Sequence, residues 1–430
     1  MIESITPAAG VHGIVNVPGD KSISHRYAML ACIAEGESEI YNFATGADCR
    51  STLSCIQALG VDHEFKIVDG RTVLAIRGQG LHGLRAPVCE LYAGNSGSTI
   101  RMFSGILAAQ PFVTRITGDD SLIRRPMGRI LKPLSEMGAQ ITATDGGFPP
   151  LTINGASLRG IEYELPMPSA QVKSCILFAG IYAEGETTVR EQVRTRDHSE
   201  IALRELGADI TTEPRSAKIR GGSKLCGKTL AVPGDLSSAA FFIAAALIVP
   251  NAELILANVG LNPTRTALLD VLRSMGASIK VLHIEQVNGE LIGNLQVKTS
   301  HLRGVTIQGA TTAAVIDEIP ILCVLGAVSD DGLLVRDAAE LRVKETDRIE
   351  AIAENLRRMR IHVNTTDSSI EIPGKQKFHG SEIEPHGDHR IAMAFSIAAL
   401  IADSPSTIRN AEAASVSFPE FYNVLGQIVR

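Results

Sequence analysis

The feature that most constrains this chain is a short phrase that recurs along its whole length. The phrase is an apolar residue, a glycine and a short stretch that favours a β-strand. Its four clear copies and two weaker ones are centred on Gly60, Gly138, Gly207, Gly276, Arg360 and Gly426. Successive copies are 78, 69, 69, 84 and 66 residues apart. A near-regular interval indicates six copies of one supersecondary unit, each of which needs its neighbours to bury its apolar face.

Other segments recur in phase with this phrase. A helical pattern precedes each copy, as in GRILKPLSEM and RTALLDVLRSM, and a strand-like run lies upstream of that helix. Earlier still comes a helix of small apolar residues, such as STIRMFSGILAA or HRIAMAFSIAAL. In the first of these, Ile100, Phe103 and Leu107 keep the spacing of one buried helical face. The alternation of strands and helices predicts a mixed α/β fold.

A second duplication divides the chain in half. VPGDKS at residues 17–22 is echoed by VPGDLS at residues 232–237, and Pro-Gly-Asp is a turn signal. We therefore predict one domain at residues 21–234 and a second built from residues 1–20 and 235–430, with crossovers near the two copies. Each domain holds three units. Two similar halves that face each other make a cleft, where ligands preferentially bind.

Composition narrows the range of partners. The net charge of −6 and an aromatic content of 4% without tryptophan argue against nucleic acid and anionic membranes as partners. The longest apolar run, residues 239–249, is far shorter than the ~20 residues of a membrane span. The start of the chain has no apolar signal segment, and the seven cysteines include no C-x-x-C pair. We expect a soluble protein of the reducing cytoplasm.

Polar residues of the first half cluster at predicted helix starts. GDKSISHR places Lys21, Ser22 and Arg26 where free N–H groups and positive potential favour a phosphate. Taken alone, a Lys-Ser pair after a turn is more often a helix N-cap with a solvated lysine. In GNSGSTIR, residues 94–101, two glycines let backbone N–H groups approach a ligand, and Ser98 or Thr99 is predicted to cap the next helix.

Three further segments, LIRRPMGR, PSAQVKS and RTRDHSE, add cations and hydrogen-bond donors to the first half. Their polar residues are Arg124, Arg125, Arg129, Ser169, Gln171, Lys173, Arg194, Arg196 and His198. The alternative for LIRRPMGR is a solvated basic run without a ligand. The alternative for His198 is a side chain that caps a helix or faces water.

The second half supplies carboxylates as well as cations. VIDEIPIL puts Asp317 and Glu318 just before an apolar helix. LRVKETDR gives Lys344, Glu345 and Arg348, and Lys344 and Arg348 are i,i+4 neighbours if the segment is helical. An ordinary salt-bridged helix start is the alternative. HGDHR, residues 386–390, begins the next helix and could also be interpreted as a metal site, although no second such cluster accompanies it.

The combination of these segments is more informative than any one of them. Arginine binds phosphate and carboxylate through two parallel hydrogen bonds, and Arg or Lys recurs at equivalent helix starts. The comparable acids are Asp317 and Glu345. A basic site with two acids at the mouth of a cleft suits a dianionic substrate and proton transfers.

At this point the chain resembles the 5-enolpyruvylshikimate-3-phosphate synthase family from end to end. The motifs that carry the resemblance are GDKSISHR, GNSGSTIR, RRPMGR, PSAQVKS, TRDHSE, LNPTRT, VIDEIP, LRVKETDR, GDHRIAM and SFPEF. The resemblance implies two domains of three βαβαββ units each, an inverse α/β-barrel-like arrangement, with the active site in the interdomain cleft. It also implies a monomer without a cofactor or metal, whose partners are its small-molecule substrates.

The implied reaction transfers the enolpyruvyl group of phosphoenolpyruvate to the 5-hydroxyl of shikimate 3-phosphate and releases phosphate, in aromatic amino-acid biosynthesis. By the same resemblance, shikimate 3-phosphate would be bound by Lys21, Ser22, Arg26, Ser169, Ala170, Gln171, Arg196, Asp317 and Lys344. Phosphoenolpyruvate would be bound by Lys21, Asn95, Gly97, Arg125, Gln171, Arg348 and Arg390. Asp317 would take the proton of the 5-hydroxyl, Glu345 would exchange one with the methylene carbon, and Lys21 would assist as acid or base.

Three positions depart from part of the family. Ala170 and Val416 stand where one branch has a serine and a phosphate-contacting lysine. They indicate the less typical branch, some of whose members tolerate the inhibitor glyphosate. Gly97, by contrast, lies where tolerant members commonly carry alanine. From the steric argument at Gly97 we expect glyphosate to inhibit.

Two rival functions differ in sequence features. The sister transferase acting on UDP-N-acetylglucosamine carries a reactive cysteine before an Arg-Pro pair, where this chain has Asp120 in TGDDSLIRRP, and KSISHR replaces its Lys-Asn pair. A non-catalytic binding relative would not need Asp317, Glu345 and the arginines, all of which are present. Both features favour the enzyme described above.

Overall fold

A computed structural model describes residues 1–430. The strands, β1 to β23 in chain order, are Glu3–Ile5, His12–Asn16, Glu35–Tyr41, His63–Val68, Arg71–Gln79, Leu91–Tyr92, Val113–Thr117, Gln140–Thr144, Phe148–Asn154, Glu162–Leu165, Glu186–Glu191, Ile210–Glu213, Ser216–Arg220, Thr229–Ala231, Glu253–Gly260, Ser278–Val287, Glu290–Lys298, Val305–Ile307, Leu333–Val335, Asn364–Thr365, Ile370–Ile372, Glu382–Ile383 and Ser406–Ile408.

The α-helices, α1 to α13 in chain order, are Lys21–Cys32, Ala47–Ala58, Gly97–Leu107, Gly128–Glu136, Ala170–Gly180, His198–Glu205, Leu236–Ile248, Ala267–Ser274, Ala310–Ala314, Ile319–Val328, Arg348–Arg358, His389–Ala399 and Phe421–Ile428. Short 3-10 helices cover Leu122–Arg124, Ala339–Val343 and Ala411–Val416. No helix combines the length and the apolar character needed to cross a bilayer.

The chain divides into two compact units. The first-half unit contains Gly19–Val232 and Val287–Glu290, and the second-half unit contains Met1–Pro18, Pro233–Gln286 and Leu291–Arg430. The short segment Val287–Glu290 differs from the predicted bounds, which assign it to the second domain. It belongs to the first-half unit because Asn288 Oδ1 accepts a hydrogen bond of 2.8 Å from the Ala231 amide and Glu290 pairs with His198.

Six small sheets, three in each unit, confirm the predicted α/β class. The order of elements β6-α3-β7-α4-β8-β9 shows one βαβαββ unit complete, and β10-α5-β11-α6-β12-β13 shows a second. In the first of these, Leu91 of β6 pairs with Ile116 of β7 in parallel, and Ile116 pairs with Leu151 of β9 antiparallel. Parallel pairing requires a crossover connection, which the helix α3 supplies.

Three sheets are completed by strands that are remote in sequence. In the first-half unit, β14 pairs in parallel with β3. In the second-half unit, β2 pairs in parallel with β15 and β1 pairs antiparallel with β23. The sixth copy of the repeat therefore differs from the prediction. Gly426 lies inside α13 and is not followed by a strand, and β1 from the N-terminus pairs with β23 instead.

The recurring glycine has a specific conformational role in the other copies. Gly60, Gly138, Gly207 and Gly276 have φ values of 82°, 101°, 103° and 89°, each directly after the last turn of a helix. Left-handed backbone at this point ends a helix, and glycine adopts it without a steric penalty from Cβ. Arg360 takes the same role with φ of 61°, so the weak fifth copy is equivalent in structure.

Each unit has its own apolar core, and a set of buried helices forms its centre. In the second-half unit, every residue of α7 from Leu236 to Leu247 is buried. Helices α10 and α12 pack against α7 there, and α3 packs against α5 in the first-half unit. The charged side chains of these helices all lie within the first five positions, so the chemically distinctive groups are found near the helix starts and in the preceding loops.

Candidate functional site

The first group of predicted site residues lies at the start of α1. Asp20 caps this helix by accepting a hydrogen bond of 2.9 Å from the amide of Ile23. Lys21 then occupies the first turn, and its Nζ lies 2.8 Å from Asp48 Oδ2 at the start of α2. The capping role therefore belongs to Asp20, and the lysine is ion-paired in a partly buried position rather than solvated.

Arg26, one turn further along α1, is held by a buried network. Its Nε donates to Ser199 Oγ at 2.6 Å, and its Nη2 donates to Ser174 Oγ at 2.8 Å. Its Nη1 donates to the carbonyl of Ser22 at 2.8 Å. Arginine has five N–H groups, so this geometry leaves one on each terminal nitrogen for a ligand. Arg26 is only 2% exposed, and these three hydrogen bonds fix the orientation of its guanidinium.

Arg196 precedes α6 and acts electrostatically on Arg26. Burial lowers the pKa of Arg26 to about 10, and the positive charge of Arg196 acts in the same direction. Two guanidiniums close enough to interact unfavourably are stabilised by an anion between them. His198, which the sequence left as a cap or an exposed side chain, is instead buried and pairs through Nδ1 with Glu290 Oε1 at 2.7 Å.

A second network surrounds the loop before α3. Ser96 caps the helix by accepting from the amide of Thr99 at 3.1 Å, so the predicted caps Ser98 and Thr99 are wrong by two or three residues. Asn95 accepts from Arg125 Nη2 at 3.0 Å and donates to Asp119 Oδ2 at 3.0 Å. Arg125 is thus directed at the Asn95 loop, while its neighbour Arg124 is exposed.

Gln171 links the starts of α3 and α5. Its Oε1 accepts from Arg101 Nη1 at 2.9 Å, and its Nε2 donates to Ser98 Oγ at 3.0 Å. Ser169 caps α5 by accepting from the amide of Val172 at 3.3 Å. Arg101 was not assigned from the sequence. The available signal was its position in GNSGSTIR, one helical turn after Gly97.

The predicted residues of the second-half unit converge on one buried guanidinium. Arg348 Nη2 donates to Glu345 Oε2 at 2.5 Å, and its Nη1 lies 3.5 Å from Asp317 Oδ1. Lys344 Nζ lies 3.7 Å from the same oxygen of Asp317. The Arg348 side chain is 1% exposed, whereas those of Asp317 and Glu345 are 19% and 18% exposed. The cation is therefore buried beneath two accessible carboxylates.

Asp388 and Arg390 complete this cluster. Arg348 Nε donates to Asp388 Oδ2 at 2.7 Å, and Asp388 also caps α12 through the amide of Arg390. Arg390 Nη1 donates to the carbonyl of Asp317 at 2.9 Å. Burial alone would lower the pKa of Arg348, but the charges of Asp388, Glu345 and Asp317 raise it above its ordinary value. The sequence placed Asp388 only in HGDHR, as part of a possible metal site, and gave no signal of its contact with Arg348.

One local expectation for this cluster is corrected. Lys344 and Arg348 are not i,i+4 neighbours on a helix, because Lys344 has extended backbone and α11 begins at Arg348 with Asp347 as its cap. With this backbone, Lys344 Nζ lies 3.7 Å from Asp317 Oδ1. As for the metal interpretation of HGDHR, no group of three or more His, Cys, Asp or Glu side chains is placed to hold a metal ion.

Comparison with known proteins adds an independent line of evidence. A family model described as EPSP synthase (3-phosphoshikimate 1-carboxyvinyltransferase) matches residues 5–425. A 3-phosphoshikimate 1-carboxyvinyltransferase of Solibacter usitatus (strain Ellin6076) is 58% identical over 428 residues, covering 100% of each chain. A solved structure of EPSP synthase from Acinetobacter baumannii has a TM-score of 0.87 at 44% identity, covering 100% of this chain and 98% of that one.

A more distant structure shows the fold alone. The crystal structure of the enolpyruvyl transferase NikO from Streptomyces tendae has a TM-score of 0.80 at 18% identity, covering 99% of this chain and 97% of that one.

Proposed function

The chain belongs to the EPSP synthase (3-phosphoshikimate 1-carboxyvinyltransferase) family, and from this membership we infer how its side chains divide the family's reaction. The reaction transfers the enolpyruvyl group of phosphoenolpyruvate to the 5-hydroxyl of shikimate 3-phosphate and releases phosphate. It belongs to the shikimate pathway, which leads to chorismate and the aromatic amino acids. We further propose a cytoplasmic monomer of two domains, one at residues 21–234 and one at residues 1–20 plus 235–430.

Shikimate 3-phosphate is assigned to the cations and donors around α1, α5 and α6. Arg26 and Arg196 offer adjacent positive charges that suit the phosphate. Lys21 and Ser22 add an ammonium and a hydroxyl at the start of α1, where the helix dipole also favours an anion. Ser169, Ala170 and Gln171 at the start of α5, with Asp317 and Lys344, complete this set.

Phosphoenolpyruvate carries a carboxylate and a phosphate, and the proposal assigns it to the arginines. Arg125 is fixed by Asn95, and Arg348 and Arg390 are fixed by Asp388 and by the carbonyl of Asp317. Guanidinium groups held in place by protein contacts bind an anion with little loss of side-chain freedom. Lys21, Asn95, Gly97 and Gln171 complete this set.

The proton transfers are assigned to the two accessible carboxylates. Asp317 accepts the proton of the 5-hydroxyl while the hydroxyl oxygen forms a bond to C2 of phosphoenolpyruvate. Glu345 donates a proton to the methylene carbon, which takes up the electron pair of the double bond. As the C–O bond to phosphate then breaks, Glu345 takes back a proton and the double bond re-forms. Lys21 acts as acid or base at the hydroxyl or at the leaving phosphate.

The observation that carries this proposal is the contact of Arg348 with both acids. A single buried guanidinium lies 2.5 Å from Glu345 and 3.5 Å from Asp317, so the two carboxylates are held beside one cation that is itself assigned to phosphoenolpyruvate. An ordinary salt-bridged helix start would not require an acid from a second segment. Preorganised groups of this kind stabilise charge that develops in a transition state.

The test is phosphate release on mixing the purified protein with both substrates. We expect phosphate only when phosphoenolpyruvate and shikimate 3-phosphate are present together, in an amount equal to the enolpyruvyl product. Each substrate alone controls for simple hydrolysis, and UDP-N-acetylglucosamine in place of shikimate 3-phosphate controls for the rival acceptor. Phosphate release with UDP-N-acetylglucosamine as the acceptor would overturn the proposal. So would the absence of phosphate release with either acceptor.

A further inference from the structure

Two polar contacts, one helical turn apart, join α1 to α2 in the first-half unit. Lys21 Nζ lies 2.8 Å from Asp48 Oδ2, and His25 Nδ1 lies 2.7 Å from Thr52 Oγ1. Residues four apart lie on the same face of a helix, so the pairs form consecutive rungs between two facing helices. We call these two contacts the α1–α2 ladder. Helix α2 itself carries none of the residues assigned to substrates.

The ladder continues from α2 to the start of α3. Thr52 Oγ1 lies 2.7 Å from Thr99 Oγ1, and the Thr99 hydroxyl donates to Ser96 Oγ at 2.8 Å. Ser96 stands between Asn95 and Gly97, which are both assigned to phosphoenolpyruvate. Thr52, Ser96 and Thr99 are all 0% exposed, so no water can replace these hydrogen bonds without opening the core.

The direction of donation along this chain is fixed by its last bond. Because the Thr99 hydroxyl donates to Ser96, it must accept from Thr52, and Thr52 in turn must accept from His25. The proton of the neutral imidazole therefore lies on Nδ1, and the buried Nε2 is unprotonated and has no hydrogen-bond partner. Burial lowers the pKa of His25 to about 3, so this arrangement persists at neutral pH.

We propose that Asp48 and Thr52 are positioning residues for the reaction, holding Lys21 and the Asn95–Gly97 loop in a fixed relation. The proposal rests on the proposed function, which assigns those groups to the substrates. Asp48 Oδ1 is buried and accepts no hydrogen bond, so the carboxylate depends on its other oxygen and on Lys21 for compensation. A buried polar group left without a partner is costly, and this restricts the helices to the one arrangement that satisfies the chain.

The first test replaces the hydroxyl of Thr52 by a methyl group of the same shape. Thr52→Val removes the link to both His25 and Thr99, and we expect the KM for phosphoenolpyruvate to rise about tenfold while kcat changes less than threefold. Thr52→Ser restores the hydroxyl and is expected to restore the KM. Thr187→Val is the matched control, because Thr187 is also 0% exposed but its hydroxyl has no hydrogen-bond partner.

The second test uses the charge of Asp48. Asp48→Asn removes the negative charge 2.8 Å from the Lys21 ammonium, and a nearby negative charge favours the protonated form of an amine. We expect the alkaline limb of the kcat/KM profile to move to lower pH by roughly one unit. Provided that the parent protein is active, either of two results overturns the proposal. One is an alkaline limb that does not move in Asp48→Asn, and the other is a Thr52→Val variant that behaves like Thr187→Val.

A spectroscopic measurement separates this proposal from the proposed function. In 15N NMR spectra of the imidazoles, assigned by comparison with His25→Gln, we expect His25 to carry its proton on Nδ1 and to keep it unchanged from pH 8 to pH 5. Thr52→Val should alter that signal, and Thr187→Val should not. If the parent protein releases no phosphate, the proposed function fails while this result still decides the ladder. A proton on Nε2 overturns it.

Discussion

The Nη2 atom of Arg348 lies 2.5 Å from Oε2 of Glu345, three residues earlier in the chain. The same guanidinium binds Asp388 through Nε, and its side chain is 1% exposed while that of Asp388 is 0% exposed. Arg348 is thus anchored on its buried side and presents Glu345 on its accessible side. This relationship leads to the first two predictions.

Glu345→Gln is expected to lower turnover by roughly 10²–10⁴-fold, the range for loss of a general acid–base. Glutamine keeps the shape and a hydrogen-bonding oxygen for Arg348 but cannot exchange a proton with carbon. Shikimate 3-phosphate should still bind, because the residues assigned to its phosphate are unchanged. Turnover comes from phosphate release and binding from calorimetry. Near-normal turnover would exclude Glu345 as the proton donor.

Asp388→Asn is expected to lower the free energy of unfolding by about 3 kcal/mol, because it leaves the Arg348 charge buried without its anchoring partner. Asparagine can still cap α12, so loss of the cap contributes little. Thermal unfolding monitored by calorimetry measures the effect. Glu382→Gln is the matched control, since its ion pair with Arg409 is about half exposed on both sides, and we expect a change within about 0.5 kcal/mol. Equal effects would contradict the buried-pair argument.

Gly97→Ala is expected to raise the inhibition constant of glyphosate more than the KM for phosphoenolpyruvate. A Cβ at this position would lie 2.8 Å from Arg101 Nη1 and 3.6 Å from Arg125 Nη1. Overlap in a packed site costs ~1–3 kcal/mol, or roughly 5- to 150-fold in affinity. Arg101 also donates a hydrogen bond to Gln171, which is assigned to phosphoenolpyruvate. Displacement of Arg101 should therefore weaken the binding of phosphoenolpyruvate as well, but to a smaller extent than that of glyphosate.

The measurement for Gly97 is an inhibition series at fixed shikimate 3-phosphate, with phosphoenolpyruvate varied. Competitive inhibition of the parent protein is expected. A variant no more resistant than the parent would show that the methyl group and the inhibitor do not compete for space.

His25 predicts a pH dependence of stability. Burial lowers its folded-state pKa to about 3, whereas an unfolded chain binds the proton near pH 6.5. The unfolded state therefore holds more protons between these values, and stability is complete above pH 6.5 and is lost as the pH falls towards 3. The expected slope from this residue is up to about 1.4 kcal/mol per pH unit.

The measurement compares unfolding at pH 7 and pH 5 in the parent and in His25→Gln. The variant should be less stable at pH 7 but should lose less stability on acidification. His12→Gln, at an exposed position, serves as the control and should keep the slope of the parent. An unchanged slope in His25→Gln would contradict the buried neutral state of His25.

The periodic sequence determined the repeated unit because its signals are local. A helix that ends in left-handed backbone needs glycine at that point, so Gly60, Gly138, Gly207 and Gly276 mark the units in any context. The recognisable motifs also supplied the residues of the Arg348 cluster, since Asp317, Lys344, Glu345, Arg348 and Arg390 all lie at the starts of apolar helices or in the loops before them.

Only the tertiary structure decided how the units close and which residues support the site. The strand β1 completes the sheet of β23 some four hundred residues away, a pairing with no local signal, and this is why the sixth copy departs from the pattern at Gly426. Asp48, Thr52 and Asp388 are ordinary polar residues in the sequence. Their roles come from burial against partners on other helices, because a buried charge or hydroxyl is stable only where the fold brings it a matching group.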